Sequence, residues 1–248
     1  MRTLYAVWTW FVVAALSMVG FLIISVMRLM IWPFERSRHI TGRAIRIVAI
    51  CIVKCNPVWR FSVYGKLPRR LPERCICVSN HASHTDPFLM SHLPWEMKWL
   101  AKSNLFKIPF VGWGMWLAGD IPLVRGSARS AKAAMDRCAA YIRQGMPVMI
   151  FPEGTRSETD QMLPFKDGAF SLAIKQQAHI LPMAVAGTGT ALRKHDWRPD
   201  YARGMVIVGD PISTEGLSQG DVKALKEQVR NVIVTLRAEV EAQLAPKS

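Results

Sequence analysis

Leu4 to Met27 is a run of 24 residues without a charge, bracketed by Arg2 and Arg28. A helix needs roughly 20 predominantly apolar residues to cross a bilayer, so this run is long enough. Trp8 and Trp10 near one end and Trp32 just past the other suit anchoring at a membrane–water interface. A cleaved signal peptide fits poorly. The run exceeds the ~7–15 apolar residues of a signal core, and no small-x-small cleavage site follows it. The segment reads as a retained anchor.

A second segment, Ile45 to Trp59, is apolar but carries Arg46 and Lys54. Its longest uncharged stretch, Ile47 to Val53, is too short to span. It reads as an amphipathic helix lying in the interface, its basic residues snorkelling toward phosphates. Arg36, Arg38, Arg43 and Arg46 follow the first segment. If that segment spans, the positive-inside rule puts everything after it in the cytoplasm, and a shallow hairpin in one leaflet gives the same side. The sequence leaves both arrangements open.

The formal net charge is +14, from 32 Lys and Arg against 18 Asp and Glu. No nucleic-acid-binding motif accompanies it, and the basic residues gather beside the apolar segments and the motifs below. Anionic headgroups and a phosphate-bearing substrate account for them better than nucleic acid does. The five cysteines, at 51, 55, 75, 77 and 138, match no paired zinc-ligand spacing. They read as reduced thiols of a cytosolic domain.

From Phe61 onward, short apolar runs alternate with helical patterns. Strands are expected at 61–64, 75–79, 98–102, 121–124, 147–151, 180–186 and 205–208, and helices at 87–92, 110–117, 128–144, 167–177 and 221–244. Ser127 is placed to cap the third of these helices and Gly145 to stop it. In the last, Val222, Leu225, Val229, Val232, Leu236 and Val240 recur at three- and four-residue steps, one apolar face for a core. Strands separated by helices imply an α/β domain with a largely parallel sheet. The division expected is 1–60 for the membrane-anchoring helix pair and 61–248 for the α/β domain.

Four blocks carry chemistry. Asn80-His81-Ala82-Ser83-His84-Thr85-Asp86-Pro87 lies between an expected strand and a helix with Pro87 in its first turn. Across such a turn Asp86 can fold back onto His81, fix its tautomer and leave the other ring nitrogen free to take a proton. Phe151-Pro152-Glu153-Gly154-Thr155-Arg156-Ser157 follows another strand. There Gly154 permits close backbone approach, Glu153 can accept from a hydroxyl, and Arg156 offers a fork suited to phosphate. Gly119-Asp120-Ile121-Pro122-Leu123-Val124-Arg125 ends a strand in an arginine, and Lys102 also ends an expected strand. Together with Arg156 these make a candidate phosphate clamp. Leu181-Pro182-Met183-Ala184-Val185-Ala186-Gly187 has no reactive side chain and can only shape a wall.

In this order the four blocks resemble the glycerolipid acyltransferases, and among them the lysophosphatidic acid acyltransferases. The resemblance runs through roughly residues 75–190 and extends to the N-terminal helix pair. It departs mildly at Pro122 and Leu123, where many members carry bulkier residues. It implies a reaction without cofactor or metal. His81, oriented by Asp86, takes the proton from the free hydroxyl of a lysophospholipid, and the alkoxide attacks the thioester of an acyl-CoA or acyl carrier protein. It further implies that Glu153 contacts the acceptor's glycerol hydroxyl region, with Arg125 and Arg156 on its phosphate.

His84 is too close to Asp86 for the usual fold-back, and Ser83 lacks the Gly-x-Ser-x-Gly elbow of serine hydrolases. Other acceptors, a lyso-ornithine lipid, a lysocardiolipin or a lysophosphatidylglycerol, share the same four blocks. A non-catalytic lipid-binding module is the alternative of a different class. The oligomeric state is not written in the sequence.

Overall fold

The structure is a computed structural model that describes residues 2–35, 37–157, 161–193 and 196–245; Arg36 of the basic stretch lies outside them. In chain order the elements are α1 (Arg2–Ile31), α2 (His39–Lys54), β1 (Trp59–Tyr64), β2 (Cys75–Ser79), α3 (Asp86–Met90), β3 (Lys98–Lys102), α4 (Val111–Ala118), β4 (Ile121–Leu123), α5 (Ala128–Arg143), β5 (Val148–Ile150), α6 (Gly168–Gln176), β6 (His179–Ala186), β7 (Ala202–Val208) and α7 (Val222–Leu244). Every strand and helix expected from Phe61 onward is present, with ends shifted by a few residues. Ser127 accepts from the Ser130 N–H as the cap of α5, and Gly145 beyond that helix has φ +73.

The strands form one sheet in the order β1-β7-β6-β2-β5-β3-β4. All neighbours pair parallel except β6 and β7. Thus β6, β2, β5, β3 and β4 point the same way and end along one edge. In open α/β sheets that edge holds the ligand. α5, α6 and α7 cover one face, where Phe170, Ile142, Val229 and Ile233 are fully buried. The other face packs Leu89, Met90, Leu93 and Met97 against Cys75, Cys77 and Met149. β2 is buried at every position, as a central parallel strand requires.

α1 and α2 form an antiparallel hairpin. The Trp8 indole donates to the Cys55 carbonyl (2.9 Å), Gly20 faces Val48, and Arg28 pairs with Glu35 (3.6 Å) at the turn. α1 also lies lengthwise against the α/β domain. Near its start Arg2 reaches Asp196 and Asp200 (3.5 and 3.1 Å) and Trp10 donates to the Trp197 carbonyl (2.7 Å). Further along, Phe21 packs edge-on against Trp113 of α4 (5.6 Å). The side facing the protein carries Ala6, Thr9, Val12, Ser17, Gly20 and Ile24. The opposite side leaves Leu4, Phe11, Leu22, Ile23, Val26 and Leu29 exposed.

α2 differs from expectation. It begins at His39, ends at Lys54, and Trp59 already belongs to β1. Pro57 disfavours helix in the residue before it, and the Asn56 side chain accepts from the Val58 N–H (3.0 Å) to turn the chain. Arg46 does not snorkel outward. It is 8% exposed and donates to Asp120 (2.5 Å) and the Met97 carbonyl (3.3 Å). Its Nε lies 3.6 Å from Glu96, which in turn accepts from buried Lys98 (3.0 Å). Two cations and two anions are thus sealed between α2 and the starts of β3 and β4. An unpaired charge costs so much in an apolar interior that Arg46 turns toward its counter-ions rather than toward lipid. The described cysteines are all free; Cys75, Cys77 and Cys138 are buried, while Cys51 and Cys55 are exposed.

Candidate active site

His81 opens the loop between β2 and α3. Its Nδ1 lies 2.8 Å from Asp86 Oδ2. The same oxygen accepts from the backbone N–H groups of Ala82 (2.8 Å) and Ser83 (2.9 Å), while Oδ1 accepts from the Thr188 hydroxyl (2.5 Å). Asp86 is 0% exposed, so this carboxylate exchanges its water for four protein donors. Two of the donors are backbone amides, which can only donate. Oδ2 is therefore an acceptor, and the imidazole carries its proton on Nδ1. Nε2 is left with its lone pair at the edge of the sheet. The ring stacks on Phe151 (centroids 4.1 Å apart, 18° between planes), which fixes its plane.

The Phe151–Ser157 loop is fastened to this loop from both sides. The His81 N–H donates to Glu153 Oε1 (2.7 Å), and the His81 carbonyl accepts from the Ser157 N–H (3.0 Å). Glu153 Oε2 accepts from the Leu163 N–H (2.8 Å), and the residue is 3% exposed. Glu153, expected to meet the acceptor, thus has each oxygen on a backbone amide and braces two loops. Burial raises its pKa above the usual glutamate value, partly offset by those two amides. Gly154 has φ +70, a left-handed conformation that favours glycine; the nearest atom to where a Cβ would stand is the flexible tip of Lys166, so the backbone rather than crowding sets the preference.

Arg125 and Lys102 follow or end β4 and β3, and both are exposed at the same sheet edge. Leu123, two residues before Arg125, is the register partner of Lys102. Arg156 follows β5 on the fastened loop. Both arginines act on His84, which retains an exposed side. Partial burial and then the positive charge of Arg156, with smaller contributions from His81 and Arg125, push His84 down to about 4, against a small opposite pull from Asp86. His84 is therefore a neutral imidazole beside the cationic part of the site at neutral pH.

Two contributors escaped the sequence reading. Asn80 is 2% exposed and bonds both backbone groups of Val185 (3.0 and 2.9 Å), extending the β2–β6 pairing one residue past β2. Thr188 comes from the far end of β6 after Gly187, whose φ is +77 and where a Cβ would collide with the Arg203 carbonyl. A hydroxyl just after a Gly that ends a strand was the available signal for it.

The acyltransferase family model matches residues 60–186, just over half of the chain and every site residue described above except Thr188. The chain belongs to the acyltransferase family. It is 31% identical over 178 residues to a 1-acyl-sn-glycerol-3-phosphate acyltransferase of Chlamydomonas reinhardtii, covering 71% of this chain and 53% of that protein. It is 36% identical over 167 residues to the human 1-acyl-sn-glycerol-3-phosphate acyltransferase alpha, covering 66% and 59%. The chain therefore spans less than two thirds of these relatives' own length. The crystal structure of the 1-acyl-sn-glycerophosphate (LPA) acyltransferase PlsC from Thermotoga maritima superposes with a TM-score of 0.77 at 23% identity, covering 100% of both chains, which shows a shared fold. In this acyltransferase all the expected site residues, His81, Asp86, Lys102, Arg125, Glu153, Gly154 and Arg156, follow or end parallel strands that share one edge.

Proposed function

We propose that this acyltransferase transfers a fatty acyl group from a thioester to the free hydroxyl of a 1-acyl-glycerol-3-phosphate, yielding phosphatidic acid. His81 Nε2 removes the hydroxyl proton as the oxygen attacks the thioester carbonyl. The tetrahedral intermediate collapses by breaking the C–S bond, and the imidazolium returns the proton to the departing thiolate. Asp86 holds the ring and stabilises its transient charge. A thioester is already an activated acyl donor, so proton transfer and orientation suffice. Arg125, Arg156 and Lys102 bind the acceptor phosphate, and Glu153 holds the loops that set His81 and Arg156 in register. The observation that carries this reading is the buried Asp86 carboxylate, whose four donors leave His81 Nε2 free at the sheet edge, in the same loop as His84, on which Arg156 and Arg125 act. The names of the relatives support the acceptor.

The same reading puts the protein on a membrane, with α1 in the plane of one leaflet. A helix of 30 residues is about 45 Å long, and this one touches the α/β domain near its start and along its length. Spanning would drag the Arg2–Asp200 pair and its domain through lipid. The exposed apolar side of α1 faces acyl chains, and the catalytic edge lies on the cytoplasmic side.

An acceptor panel with each thioester donor tests the assignment. The purified protein should acylate lysophosphatidic acid at least tenfold better, in kcat/KM, than lysophosphatidylglycerol, lysocardiolipin or lyso-ornithine lipid. Arg156→Ala should raise the KM for lysophosphatidic acid roughly tenfold or more and spare that for the acyl thioester, as loss of a charge-assisted bond predicts. Preference for a phosphate-free acceptor overturns the assignment. A KM effect confined to the thioester moves Arg156 to the donor side.

A further inference from the structure

A shallow groove of about 380 Å³ follows the edge strand β1, separated from the His81 loop by β7 and β6. Lys54 at the end of α2, Arg60 on β1, Arg203 on β7 and His92 beyond α3 line it, and no carboxylate does. Arg60 and Arg203 are register partners on adjacent strands. Like charges side by side on neighbouring strands cost stability, a cost that an anion between them removes. Among the described residues no Asp or Glu pairs with Lys54, Arg60 or Arg203; the side-chain bond of Arg60 goes to the Trp59 carbonyl (3.4 Å). His92 Nδ1 lies 3.1 Å from the carbonyls of both Phe88 and Leu89, so that nitrogen carries a proton, and Nε2 can donate to an anion only when the ring is an imidazolium.

The surroundings indicate the depth at which the groove works. Ile40, Ile47 and Cys51 form an exposed stripe along α2 that ends at Lys54, beside the Cys55 carbonyl held by Trp8. Trp197 and Tyr201, 54% and 60% exposed, immediately precede β7, and Trp10 donates to the former's carbonyl. Tryptophan and tyrosine concentrate where acyl chains give way to headgroups. The cations therefore begin where an aromatic-rimmed apolar face ends.

We propose that this groove is a second lipid site, distinct from the catalytic centre, that takes the phosphate of an anionic membrane phospholipid and so holds the domain on anionic leaflets. Guanidinium pairs suit phosphate oxygens, and Lys54 adds an ammonium. The proposal rests on α1 lying in the leaflet and is independent of the catalytic assignment.

Co-sedimentation of the full chain with vesicles tests it. Arg60→Gln/Arg203→Gln should lower partition onto phosphatidylcholine–phosphatidylglycerol vesicles roughly tenfold to thirtyfold and leave partition onto pure phosphatidylcholine unchanged. The variant should melt no lower than the parent, because it relieves a repulsion, and turnover of detergent-dispersed lysophosphatidic acid should be preserved. Arg129→Gln/Lys175→Gln removes two exposed cations from α5 and α6 and should cost less than about threefold. Equal losses in the two double variants reduce the effect to net charge and overturn the site. So does undiminished binding by the first variant. A raised KM for acyl-CoA with normal vesicle binding also overturns it, by assigning the phosphate to the soluble donor. Absence of acyl transfer in the parent protein counts against the proposed function alone, since vesicle binding is read separately.

Discussion

Asp86 and Asp120 are both sealed from solvent, at 0% and 2% exposure, yet their surroundings follow different principles. Asp86 meets three neutral donors and one imidazole, and three of these four partners lie within its own loop. Asp120 meets a guanidinium and the Trp99 N–H through one oxygen, while its second oxygen, like Arg46 Nε and Glu96 Oε2, has no hydrogen-bond partner among the described residues. Burial pushes Glu96 up and Lys98 down in pKa despite their pairing. The first cluster satisfies its carboxylate almost entirely with fixed dipoles, so one proton can come and go at the far side of His81 without stranding a charge. The second balances charge against charge and tolerates no change in either sign. The first leaves a ring nitrogen free for the proposed chemistry; the second fastens α2 to the sheet.

Breaking the first cluster at its reacting end should have the largest effect. His81→Ala is expected to lower acyl transfer by roughly 10³-fold or more, with the fold and vesicle binding retained and a stability loss of about 1–3 kcal/mol from the missing donor to Asp86. Full activity in that variant removes His81 from the mechanism. Breaking the second should appear in stability. Asp120→Ala strands Arg46 in the interior and should cost about 3–5 kcal/mol in urea unfolding, whereas Arg46→Met/Asp120→Leu should recover most of it. If the single variant is as stable as the parent, the four charges are not coupled as the distances imply.

Thr188→Val sharpens the contrast, because it removes one neutral donor from Asp86 and leaves every charge in place. A stability loss of about 1–3 kcal/mol is expected, together with a fall in kcat at unchanged KM for both substrates. A change confined to KM would place Thr188 in substrate binding instead. The smallest effect concerns His84. Its folded value of about 4 lies below the ordinary 6.5, so between these values the unfolded chain binds a proton that the folded chain does not. Stability therefore falls as pH falls through that window. His84→Asn should flatten this part of the melting-temperature profile, and an unchanged slope would assign it to other groups.

Much of the fold was readable because its signals are local. Seven strands and the helices after Phe61 declare themselves through apolar runs, caps and glycine stops, which act over a few residues. His81 and Asp86 belong to this class, since five residues and one turn suffice to join them. The sequence places the second helix about five residues too late because apolar character continues through Val58 and Trp59, which the structure uses in a turn and a strand. Arg46 on an apolar helix beside a membrane segment reads as a snorkelling cation, and its neighbours in the chain say nothing of Asp120 or Glu96. Glu153 reads as a substrate contact from its block, and nothing near it in the chain announces that its oxygens also accept from the amides of His81 and Leu163.

The sequence alone determined the long apolar N-terminal helix, the α/β alternation, the family blocks and the pairing of His81 with Asp86, all of which depend on contacts close along the chain or on composition. Only the tertiary structure decided which buried charges meet, that Thr188 completes the Asp86 carboxylate from 102 residues away, and that Arg60 stands beside Arg203. Strand order and helix docking set those distances. No local preference encodes them, because the free energy that chooses among them is gained only when the whole sheet has closed.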